Sequence, residues 1–208
     1  MSTKKTPPDS LKPKIDAEWP ALYQAIGEAI AAWAGLEHAL ASAFALTLNI
    51  KDGLADPIFF SARAFNGKRD MLMAAIKYAK LPQKHVVRQK IFKSGCNAAS
   101  RWYPVRNKLA HELPTVSTVD DEMLGGTLIP NVPTDDFQSH VERTLTTKAI
   151  KESAENFSLL GKLIYEAGEL SGGTLLEKLL QQVRELPDRP YSDSLDIHPV
   201  ILARSRQQ

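Results

Sequence analysis

The chain has 208 residues, 43% of them apolar and 24% charged, which suits one domain with a buried core and excludes a disordered or fibrous composition. Its net charge of +2 does not by itself imply nucleic-acid binding, and its single cysteine, Cys96, excludes a disulfide within the chain and fits a reducing compartment. No uninterrupted apolar run reaches the roughly 18 residues that span a bilayer, and the start of the chain lacks the apolar stretch of a secretory signal, so the expectation is a soluble cytoplasmic protein with no membrane partner.

Residues 1–15 hold four lysines and three prolines, and little that is apolar beyond Leu11 and Ile15. They read as a flexible basic arm whose plain role is solubility, although such an arm can also touch RNA. From Asp16 the pattern turns helical, with Ile26, Ile30, Trp33, Glu37, Leu40, Phe44 and Thr47 on one stripe. Pro20 is tolerable in a first turn. The apolar stretch from Ala39 to Ile50 reads as core helix. Gly53 and Asp56-Pro57 then mark a loop and a second helix, with Asp56 as N-cap and Pro57 at the first helical position. That helix carries Ile58, Ala62, Phe65, Arg69, Leu72, Ile76 and Ala79 inward until Pro82 ends it.

A third helix starts near Gln83 and turns Val87, Ile91, Ala98, Trp102, Val105 and Leu109 inward. Pro104 should kink or interrupt it, and Pro114 should stop the chain so that the helix closes near Leu113 with His111 in its last turn. Thr115–Val119 and Met123–Ile129 predict a short β-hairpin that turns at Asp120-Asp121. A fourth long helix spans Thr147 to Leu170, with Ile150, Ala154, Phe157, Leu160, Ile164 and Ala167 aligned, and Gly172-Gly173 ends it. Leu175–Leu186 forms a short amphipathic helix, and the remainder, with Pro187, Pro190 and Pro199, reads as a tail. The division is a basic arm at 1–15, a helical domain at 16–170, and a short helix with tail at 171–208. The fold class is all-α, a bundle of four main helices with a short β-hairpin inserted before the last long one.

Most motifs that carry chemistry are absent: there is no glycine-rich phosphate loop, Cys-x-x-Cys pair, His-Glu-x-x-His helix or Gly-x-Ser-x-Gly elbow. The five histidines have no metal-like spacing, so neither a metal nor a cofactor is expected. The third helix holds the residues that remain. Asn107 and His111 stand four apart on one face, and Arg106 lies beside Asn107 near the inner stripe, where an arginine needs a partner or an interface. The carboxyl end of a helix favours a cation, and histidine is the side chain suited to proton transfer near neutral pH. Glu37 stands between Trp33 and Leu40 where an apolar residue is expected. It either belongs to the site, facing Arg106 across the bundle, or pairs with an arginine for structure, Arg69 being the rival partner. Trp33 and Trp102 read as core residues and His38 as a boundary residue.

Arg106-Asn107-x-x-x-His111 near the end of a helix in a small bundle resembles the HEPN superfamily, whose mark is an arginine, four to six residues, then a histidine. Its members often place a polar residue such as Asn after the arginine. Trp33-Ala34-Gly35-Leu36-Glu37 is similar to the acidic first helix of part of that superfamily, and the resemblance covers residues 17–170. It implies a metal-independent endoribonuclease working as a homodimer, with two Arg-His pairs facing one cleft. His111 would be the general acid or base, Arg106 would hold the scissile phosphate, and Asn107 would orient the pair. RNA would be the substrate, and a toxin or phage-defence role with a cognate antitoxin would follow. A catalytically silent dimer serving as a binding or regulatory scaffold is the alternative, and an accidental match in an unrelated bundle is a third reading. Position 113, two beyond the histidine, holds Leu113 where members silenced by nucleotidyltransferases have tyrosine.

Overall fold

The first helix grows from the alanine-rich stretch after residue 11 and exceeds the sequence expectation. α1 spans Lys12–Leu48 in a computed structural model that describes residues 11–79, 82, 85–119, 122–129, 144–170 and 172–191. Lys12–Ile15, expected in the mobile arm, form its first turn, and Leu11 just before them is buried. Residues 1–10, the Asp120-Asp121 turn and the tail beyond Tyr191 lie outside the described residues. Asn49 closes α1 in the left-handed region (φ 54°), which asparagine tolerates, and its N–H reaches the carbonyls of Ala45 and Leu46.

The expected second helix is two. α2 is Asp52–Ser61, with Pro57 inside it rather than at its start, and α3 is Phe65–Tyr78. Residues 62–64 between them are not helical, and both caps are extended. Phe59 and Phe65 explain the break. Six residues apart on one helix they would face about 120° apart by the 3.6-residue repeat, whereas here both are buried, at 1% and 2% exposure. Ile58, expected inward, is exposed.

α4 runs Val86–His111 without interruption through Pro104, whose ring lies on the exposed side. β1 (Leu113–Val119) and β2 (Glu122–Ile129) make the expected antiparallel hairpin, and β3 (Leu145–Thr146) adds to β2. α5 is Thr147–Glu169, capped by the Thr146 hydroxyl, which accepts from the Ala149 N–H at 3.2 Å. α6 is Thr174–Arg184. Among the described residues there are thus six helices and a three-stranded sheet, a mainly helical fold.

α5 lies parallel to α1, with Thr147 beside Glu18, Gly161 against Leu36 and Gly168 against Leu46. α4 is antiparallel to both, since Tyr103 meets Trp33, Trp102 meets Phe157, and Arg88 donates to the carbonyl of Leu170. Gly95 makes the α4–α5 approach possible, because a Cβ there would sit 2.8 Å from Ile164. The sheet is tied to the helices through Glu18: its Oε1 accepts from the Gly126 N–H at 3.0 Å, and the Thr147 hydroxyl lies 3.0 Å away. After α6 the segment expected as tail crosses back over the bundle. Trp102 Nε1 donates to the Pro187 carbonyl (3.1 Å), Asn156 Nδ2 donates to that of Pro190 (3.0 Å), and Arg101 pairs with Asp188 (3.2 Å).

By length and composition alone α1 could cross a membrane: one 18-residue window has a mean hydropathy of 1.4, and half of it is buried within the fold. Counting only uninterrupted apolar runs passes over this window, because residues such as Glu37, His38 and Ser42 interrupt α1.

Candidate functional site

α4 delivers Arg106, Asn107 and His111 to the end of the bundle where the sheet begins. Tyr103, one turn earlier, fixes that face by stacking on Phe65 at 5.0 Å between centroids and meeting Trp33 at 6.1 Å. Trp33 also meets Phe65 and Phe157 edge-on, at 5.2 and 5.0 Å, so the aromatic cluster holds α1, α3, α4 and α5 together just behind the motif. Trp33 and Trp102 are core residues, 3% and 0% exposed.

Arg106 and Asn107 are half-buried and His111 is exposed. Arg106 Nη1 donates to Asn107 Oδ1 at 3.5 Å, the long end of a hydrogen bond. A guanidinium has five N–H donors, and among the described residues Arg106 uses one of them, with no carboxylate paired to it. His111 is in the last helical turn, as the sequence indicates. Glu112 caps the helix, its N–H bonded to the Lys108 carbonyl at 2.9 Å. Burial pushes the Glu112 carboxyl above its ordinary range, the Lys108 charge opposing, and its Oε2 is shut from solvent without a hydrogen-bond partner among the described residues. A buried acceptor with nothing to accept is costly, so Glu112 is a residue the motif reading passed over.

The expected pairing of Glu37 with Arg106 is not formed. Glu37 Oε2 accepts from Lys68 Nζ at 2.6 Å, and its Oε1 accepts from Trp33 Nε1 at 2.9 Å. Lys68, in turn, lies over the Phe60 ring at 4.7 Å and is 7% exposed. The rival Arg69 is paired at the surface with Asp70 (2.8 Å). The break between α2 and α3 is the cause: it resets the phase of α3 so that position 68, not 69, faces α1. His38 is exposed, its ring 4.9 Å from Phe60. Among the described residues no group of three or more His, Cys, Asp or Glu is placed to hold a metal ion.

No family model, curated protein or solved structure matches the chain.

Proposed function

We propose that the chain is a metal-independent endoribonuclease of the HEPN type, acting on RNA in the cytoplasm as a homodimer whose two Arg106–His111 pairs share one cleft. The observation that carries this reading is the state of Arg106. It is a half-buried guanidinium with four N–H donors unused among the described residues, five positions before an exposed histidine on the same helix end. Unspent donors and an exposed imidazole at the same helix end suit a phosphodiester, which needs charge stabilised on its oxygens and a proton moved. In this chemistry the ribose 2′-oxygen attacks phosphorus and gives up its proton to one imidazole. The bond to the 5′-oxygen breaks as that oxygen takes a proton from the other, leaving a 2′,3′-cyclic phosphate. Arg106 would hold the non-bridging oxygens and Asn107 would fix the guanidinium. A toxin or phage-defence role, with a cognate antitoxin, is the extension of this reading.

A catalytically silent dimer that serves as a scaffold is the second reading. One observation favours it: both oxygens of Glu37 are engaged by Trp33 and Lys68, so this carboxylate is not at hand to pair with Arg106.

Cleavage of a synthetic RNA in EDTA, by the protein and by His111→Ala and Arg106→Ala variants, separates them. Chelator-resistant cleavage that yields cyclic-phosphate ends and disappears in both variants supports the enzyme. A well-folded dimer that cleaves nothing moves the assignment to the scaffold, and a monomer overturns both.

A further inference from the structure

α1 and α5 come closest at Gly161, where an added Cβ would stand 3.3 Å from the Leu36 Cα. Beside that contact they leave an open groove of about 480 Å³, from Ala31 to Ser42 on α1 and from Ser158 to Tyr165 on α5. At Ser42 and Tyr165 it runs on into a smaller hollow of about 90 Å³ that reaches Leu46 and Glu169. From Ala31 to Leu46 the two together are about 22 Å long, at a rise of 1.5 Å per residue. Every wall residue is among the described ones. The floor is buried at Leu36 and Ala39, whereas Leu46 and Tyr165 on the walls are 41% and 57% exposed. Lys162 and Glu169 put opposite charges at different points along it.

A long, narrow groove with apolar walls suits a peptide segment, and the chain carries one. Of the segments outside the described residues, only 192–208 holds an apolar run: Leu195 and Ile197 lead to Val200-Ile201-Leu202-Ala203. The place from which it departs is fixed. The Pro190 carbonyl accepts from Asn156 Nδ2 on α5 at 3.0 Å, two residues before Ser158, where the groove begins on that helix. Half the girth of a helix about 10–12 Å across is roughly 16–19 Å, and about six residues can cover it at up to 3.3 Å each. Counted from Tyr191, that brings Ile197 to the groove, with Leu159, 44% exposed, on the way. The charges agree in order. Asp193 and Asp196 precede the apolar run and Arg204 and Arg206 follow it, while along α5 Lys162 precedes Tyr165 and Glu169 follows it. The ion-pair partner of Lys162 among the described residues is the exposed Glu166 at 3.7 Å, a pair easily exchanged. We propose that residues 195–203 dock in the groove of their own chain, entering past Lys162 and leaving past Glu169. Apolar side chains of the segment and of the groove then leave water together. The tether favours this occupant over a free partner of the same chemistry, because it supplies a local concentration in the millimolar range. The inference is separate from the Arg106–His111 motif and stands whether or not the chain cleaves RNA.

The test places the photo-crosslinking residue p-benzoylphenylalanine at position 201 of the full-length protein, irradiates it in dilute solution, and maps the linked peptides by mass spectrometry. Links within one chain to residues 31–46 or 158–169 support the proposal. Links between chains would give the groove to a second copy, and these, links confined to other surfaces, or no links at all would overturn it. A thermal-unfolding cycle provides an independent check. Ile201→Asp should lower the midpoint by about 2–4 °C, the scale of one lost apolar contact in a chain of this size. In a Tyr165→Glu background, where the groove wall is already charged, the same substitution should add little, because residues in contact do not act additively. Tyr165 is exposed, so this background should fold; if circular dichroism shows otherwise, Ser42→Glu takes its place. An Ile201→Asp shift that is absent, or that is undiminished in the charged background, would overturn the proposal.

Discussion

In a Lys68→Met variant the Glu37 carboxylate keeps its bond from Trp33 and loses its only cation among the described residues. The two side chains are 9% and 16% exposed, so solvent screens the pair little, and removing one partner of a buried ion pair costs about 3–5 kcal/mol. Because Trp33 Nε1 still donates to Glu37 at 2.9 Å, the low end applies, about 3 kcal/mol. Glu37→Gln should cost a similar amount, since it leaves the Lys68 ammonium facing an amide. The double variant Glu37→Gln/Lys68→Met removes both charges while the amide oxygen still accepts from Trp33 Nε1, so it should recover to within about 1 kcal/mol of the parent. Guanidinium unfolding followed by circular dichroism measures all four proteins, and an unchanged m-value licenses the comparison. Single variants that lose less than about 1 kcal/mol would mean the pair behaves as an exposed one. A double variant that loses the sum of the singles would mean the two charges do not compensate each other. Either result refutes the argument.

Two further outcomes follow from the packing. Gly126→Ala places a Cβ 2.6 Å from the Thr147 hydroxyl and 3.0 Å from Leu22, so it should cost about 1–3 kcal/mol by overpacking, read from the same denaturation midpoint; a neutral result would mean the sheet is not clamped to α1 and α5. Cys96 is fully buried, and burial pushes its thiol up to about 12, Arg69 lowering it and Asp70 raising it in smaller measure. A disulfide reagent at pH 8 should therefore label Cys96 only as fast as the chain opens. Because the folded value lies above the unfolded 9.0, stability from this group is intact below pH 9 and falls as pH rises towards 12. A Cys96→Ala variant should lack that part of the slope, and identical slopes would contradict it.

The long elements were legible because their signals are local. The stripe from Ile150 to Ala167 and the Gly172-Gly173 stop place α5 to within a residue, and Pro114 places His111 in the last turn of α4. What the sequence hides is long-range. No glycine or proline marks the non-helical residues 62–64; the demand is that Phe59 and Phe65 both be buried, and this shows only once their common neighbours are known. That hidden break turned the expected arginine partner of Glu37 into Lys68. Ile30 and Ile58 fit a helical stripe yet are exposed, because alanines at 25, 29, 43 and 55 fill the tight inner faces instead. In the same way Pro187 and Pro190 look like tail residues, yet their carbonyls serve the Trp102 indole and the Asn156 amide. The Arg106-Asn107-His111 constellation was visible as a spacing, and the unused donors of Arg106 were not.

The parallel packing of α1 against α5 also sets a timetable for synthesis. Of the two, α1 leaves the ribosome first, and at about 5–20 residues per second the roughly one hundred residues between them take on the order of 5–20 s. For that interval the apolar window of α1 has no permanent cover on the side that Leu36 and Leu22 will bury. Pairings so distant along the chain also form late, since the loop between them must close first. The nascent chain should therefore depend on transient shielding of α1 until α5 arrives, and variants that slow the making of α5 should lose yield to aggregation before they lose stability.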